Sequence, residues 1–119
     1  MPPSGDPDAF LSVVSCDDRP PSILEDGLFV LQIVGDEMSP TLEAGQFVLV
    51  DTGDVRPSPP GVFAMWENGG IILRRLQLLP GVAPRRVRVA ADNEKYSEAE
   101  IPLSELRLKG RVVAFCRAI

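Results

Sequence analysis

Eight consecutive residues, Gly35-Asp36-Glu37-Met38-Ser39-Pro40-Thr41-Leu42, gather acidic, hydroxyl and sulfur side chains between two apolar runs. Gly35-Asp36 directly after a strand-like run is turn chemistry. Ser39 followed by Pro40 is an N-cap and first-turn pair, and Gly45 is a natural stop. A strand feeding a strained turn that opens a helical turn can hold one side chain out for chemistry. The chain has no histidine, which excludes Ser-His and Cys-His catalysis, and no zinc site is expected. Ser39 is assigned to capping, and Asp92-Asn93 to a loop turn rather than to an acid-base or metal pair. Met38 reads as a core or pocket filler. Trp66 reads as core or cleft wall, and Cys116 as a small hydrophobe in an apolar strand. No cofactor or metal is expected from this set.

The elements that must position these residues are strands. Residues 28–34 are apolar on both faces except for Gln32, and 47–50 are β-branched and aromatic enough for a buried strand. Asp51 to Gly61 is polar and proline-rich. Residues 62–66 form the next strand, and Glu67-Asn68-Gly69-Gly70 is a hairpin turn, because Asn-Gly tolerates positive φ. The return strand covers 71–79. Arg86-Val87-Arg88-Val89-Ala90 alternates with valines inward, 92–96 is a loop, and 106–119 is a long final strand with a bend at Gly110. One helical turn is expected at 40–43. The expected fold is therefore mainly β.

The opening run resembles the Gly-Asp-Ser-Met-x-Pro-Thr-Leu motif of LexA-type self-cleaving repressors, phage repressors and UmuD-like proteins, and more distantly that of signal peptidases. Asp92-Asn93-Glu94-Lys95-Tyr96 resembles that family's Ser-Asp-Asn-x-x-Tyr segment, and Gly110-Arg111-Val112-Val113 its closing strand. The resemblance spans 28–117 and implies a strongly bent, partly barrel-like β domain. In the family a serine before the methionine is the nucleophile and a lysine in a Val-Lys-Arg-Leu-like run is its base. Here Glu37 stands at the first position and Arg74, within Leu73-Arg74-Arg75-Leu76, at the second. The implied cleft residues are Asp36, Met38, Ser39, Pro40 and Trp66. Relatives pair through their last strands, which would place Val112, Val113, Phe115 and Arg117 at a homodimer contact.

The two substitutions have a chemical consequence of their own. A serine-lysine dyad needs a lysine whose neutral amine takes the serine's proton. Arginine keeps its proton below a pH of about 12, so Arg74 cannot be that base. A carboxylate at 37 is a poor nucleophile toward an amide. No catalytic residue is therefore expected, with Glu37 and Arg74 the degenerate dyad positions. They are chemically matched, and an ion pair between them is expected. Breaking such a pair costs about 3–5 kcal/mol if it is buried and about 0–1 kcal/mol if it is exposed. By period-two alternation Arg74 shares a face with Ile72 and Leu76, and Arg75 lies opposite with Ile71, Leu73 and Gln77.

The chain of 119 residues suits one domain. Residues 1–26 carry six acids against Arg19 alone, whereas 27–119 balance eleven acids with eleven bases, so the first stretch holds the whole net charge of −5. Residues 1–26 read as an acidic, proline-rich arm, with Phe10-Leu11-Ser12-Val13-Val14 as a possible edge strand, and 27–119 as the β domain. Neither Ala-Gly nor Cys-Gly, the family's usual cleavage dipeptides, occurs in the arm. The balanced body lacks the basic patch that nucleic acid demands. No membrane-spanning segment or signal peptide is visible, and Cys16 and Cys116 read as reduced thiols in a cytoplasm. The favoured function is a degenerate self-cleavage domain kept for dimerisation or protein contact, with transcription or damage (SOS) regulation implied by the resemblance. The alternatives are an active or atypical peptidase and a UmuD-like accessory subunit.

Overall fold

Phe47-Val48-Leu49-Val50 has no polar residue and is buried on both faces, so it must lie inside the sheet rather than at its rim. In the computed structural model, which describes residues 22–25, 27–81 and 83–116, it does. Eight strands are formed: β1 (Ser22–Glu25), β2 (Leu28–Gln32), β3 (Phe47–Asp51), β4 (Gly61–Glu67), β5 (Gly70–Leu78), β6 (Arg86–Ala90), β7 (Ala99–Pro102) and β8 (Leu108–Cys116). They make one antiparallel sheet in the order β1-β2-β3-β8-β4-β5-β6-β7. No ladder joins β1 to β7, so the sheet stays open.

The mainly β expectation holds, and the expected strands form within a few residues of their expected ends. Alternation sends each strand's residues to different clusters. From β3, Val48 and Val50 join Ile33, Met38, Leu42, Ala64 and Leu73. Phe47 and Leu49 turn the other way onto Leu28, Val30 and Ala114. A third cluster holds Phe63, Met65, Leu76, Val87 and Val89. Leu73 and Leu76 fall in different clusters, Leu73 with Ile71 and Leu76 with Ile72, as expected of the two faces of β5. Phe63 and Leu76 are fully buried, where truncation to alanine costs about 2–5 kcal/mol.

The turn at 68–69 has φ of 49° at Asn68 and 81° at Gly69, the positive pair that a two-residue hairpin requires. Gly110 is a close-approach glycine: a Cβ there would run into the Asp51 carbonyl of the neighbouring strand.

Three features differ from the sequence reading. The strand Ser22–Glu25 pairs with β2 inside the stretch assigned to the arm, and Ala99–Pro102 adds a strand after β6. The expected helical turn at 40–43 is a single turn closed by Leu42 N–H donating to the Met38 carbonyl at 2.9 Å. The helix among the described residues is a 3-10 turn at Leu103–Glu105. The possible strand at 10–14, and the arm before residue 22, lie outside the described residues, as does Arg117.

Candidate functional site

The segment between β2 and β3 is built as a lid over the core. Met38 and Leu42, four residues apart, both point down and are 3 % exposed, which anchors the turn by burial. Its base is closed by Ile33 N–H to the Gln46 carbonyl at 2.8 Å and Gly45 N–H to the Ile33 carbonyl at 2.9 Å. Buried Gln46 accepts from the Glu43 N–H at 2.8 Å. Among the described residues the Ser39 hydroxyl makes no capping bond, so Gln46 supplies the side-chain acceptor that the sequence assigned to Ser39. Gly45, with φ of 92°, ends the turn as expected.

With Met38 and Leu42 held down, Glu37 is left at the rim of a pocket of about 90 Å³. One wall is the end of β2 and the turn, Leu31 to Gly35 with Glu37 and Met38; the other is Ile71, Ile72, Leu73 and Arg74 of β5. Glu37 and Arg74 thus line the same pocket, but they make no ion pair. The Arg74 guanidinium donates through Nη1 to the Leu73 carbonyl at 2.8 Å. The Glu37 carboxylate folds back over Gly35, where it fills the space a Cβ would take. The expected pair fails because each charge has a local partner or resting place that needs no reach across the pocket.

Of the other expected cleft residues, Met38 lines the pocket and Asp36 does not. Ser39 and Pro40 do not line it. Trp66 lies in a separate groove with Met65, Glu67, Ile101, Glu105, Leu106 and Arg107, and Lys109 Nζ sits 5.8 Å from its ring centroid. Val112 and Val113 pack into the core clusters, and Phe115 is 41 % exposed.

The family model for Peptidase S24-like proteins matches residues 9–113. The chain belongs to the Peptidase S24-like family. A search among curated proteins finds no match to this sequence.

The S24-like domain has a second group of residues at the site, which the sequence reading left in a loop. Asn93 donates from its side-chain amide to the Asp36 carbonyl at 2.9 Å and from its backbone to the Glu37 carbonyl at 3.0 Å. Its Oδ1 accepts from Lys95 N–H at 3.0 Å, the local turn expected of this residue type. The Tyr96 hydroxyl donates to Asp36 Oδ1 at 2.6 Å, and Lys95 Nζ lies 3.6 Å from Asp36 Oδ2. The Tyr96 hydrogen bond holds the Asp36 carboxyl below its ordinary range and raises the Tyr96 phenol. Asp92 is gripped by Arg75, whose Nε and Nη2 each donate at 2.8 Å. That fork lowers the Asp92 carboxyl, with the Thr41 hydroxyl adding to it. The available signal was the Asp-Asn-x-x-Tyr spacing, but two of the bonds reach backbone carbonyls, which leave no mark on sequence.

Among the described residues no group of three or more His, Cys, Asp or Glu could hold a metal ion. No described helix is long and apolar enough to cross a membrane.

Proposed function

We propose that this S24-like domain is a catalytically inactive module that binds a protein partner or a second copy of itself. The observation that carries the reading is the identity of the two charged residues on the facing pocket walls, Glu37 and Arg74. Attack on an amide needs an oxygen nucleophile and a group to take its proton. A guanidinium that holds its proton and a carboxylate resting on Gly35 provide neither. Lys95 does approach the motif turn, which favours the rival reading of a peptidase with rearranged chemistry. Its side chain is 76 % exposed and engaged with Asp36, the opposite of the burial that frees a lysine's amine.

Self-association is supported by the position of β8. Its ladder with β4 ends at Arg111, while its ladder with β3 continues to Cys116. The far side of 112–115 therefore carries no ladder among the described residues, next to exposed Phe115. Such an edge suits antiparallel pairing with another copy. A regulatory role in transcription or a damage response fits such a module.

The test is incubation of the purified chain at raised pH followed by intact-mass measurement. The inactive reading expects one unchanged mass. A cut product that disappears in Glu37→Ala or Arg74→Ala would establish the peptidase reading instead.

A further inference from the structure

The two walls of the pocket belong to parts of the sheet that are not neighbours. β5 is hydrogen-bonded to β4 and β6, and β2 to β1 and β3. No ladder sets the distance from residues 71–74 to the turn at 35–38. Beyond the shared packing of Ile33, Met38, Ile71 and Leu73, a hydrogen-bonded connection runs between them among the described residues. It starts at Arg75, next to Arg74 on β5, crosses the Arg75 fork to Asp92, passes one peptide to Asn93, and ends on the carbonyls of Asp36 and Glu37. Tyr96 and Lys95 then close on the Asp36 carboxylate from outside.

We infer that residues 92–96 are a strut that fixes the separation of the two pocket walls, with Arg75 and Asn93 as its positioning residues. Its functional meaning rests on the pocket being the binding site proposed above, but the strut itself can be tested without any ligand. A forked charge-assisted pair is directional as well as attractive; the Asp92 end is 13 % exposed and the Arg75 end 45 % exposed, so the bond is anchored at Asp92 and reaches solvent at Arg75. Asn93 uses both its backbone and its side-chain donor on consecutive carbonyls, so it sets the orientation of the Glu37 backbone and not only its distance. A ligand that fits the pocket at this width strengthens the strut, and loosening the strut weakens that ligand by the same factor.

Tyr96 is the only tyrosine, so its ultraviolet phenol titration reads the far end of the strut alone. The decisive variant is Arg75→Gln, on the opposite wall, whose side-chain bonds go to Asp92. The strut predicts that the Tyr96 midpoint moves down toward the ordinary phenol value. It also predicts that amide exchange at residues 36–42 speeds up about five- to tenfold, the loss of roughly one net hydrogen bond. Exchange in β3 and β8 stays unchanged. An unmoved Tyr96 titration with unmoved exchange at 36–42 overturns the inference, as does acceleration by one common factor throughout the sheet. If Arg75→Gln fails to fold, Arg75→Lys keeps the charge, loses the fork and must shift both readouts in the same direction. These shifts in a domain that captures no partner would remove the binding reading while leaving the strut in place.

Discussion

The Arg74 guanidinium donates to the carbonyl of its own neighbour, Leu73, at 2.8 Å, and makes no ion pair with Glu37 across the pocket. Glu37→Ala and Arg74→Ala are therefore expected to be nearly additive in a double-mutant cycle. Each alone should cost no more than about 1 kcal/mol, the range of half-exposed charges. Urea denaturation of the four proteins checks this. A coupling of several kcal/mol would mean that the pair forms in solution.

The strut carries a pH signature whose sign differs at its two limits. Asp36 and Asp92 have lowered carboxyl values, so their contribution is present above about pH 4 and is lost as pH falls through the folded-state values. Tyr96 is raised, so its contribution is present below about pH 10 and fades as pH rises through its folded value. Exchange protection at 36–42 should be greatest between these limits. Tyr96→Phe is expected to flatten the alkaline limb and Asp92→Asn the acid limb.

Gly35 has φ of 92°, and a Cβ on it meets the Glu37 carboxylate. Gly35→Ala should destabilise by about 1–2 kcal/mol through backbone strain, with steric crowding on top. Adding Glu37→Ala should recover the steric part and leave the backbone part. Thermal melts of the single and double variants separate the two.

If 112–115 pairs with a second copy, Phe115→Glu should shift the protein toward monomer in light scattering at high micromolar concentration. Circular dichroism should stay unchanged, because Phe115 is 41 % exposed and its removal opens no core. A wild-type chain that is already monomeric there counts against self-association.

The strand that buries one whole face was legible, because Val87 and Val89 repeat at the strand period. Ala99–Pro102 was not, since none of its four residues is fully buried and its place comes from β6. At the site, the motif spacing brought Glu37 and Arg74 to one pocket. It did not bring Trp66, because the β4–β5 hairpin carries that ring to a separate groove beside Arg107. Asn93 was read as a loop turn, which it makes through Lys95 N–H, but its bonds to the site were not legible because they reach carbonyls 56 and 57 residues away.

β8 follows the other described strands in sequence yet sits between β3 and β4, where it joins one group of three strands to another of four. A polypeptide made only as far as residue 107 therefore holds two unfinished half-sheets, each with an open hydrogen-bonding edge, until residues 108–116 are supplied. Completion must be a late and highly non-local event. A chain stopped before Leu108 is expected to yield aggregating fragments, and the clearest readout would be protease resistance that arises only when β8 is supplied.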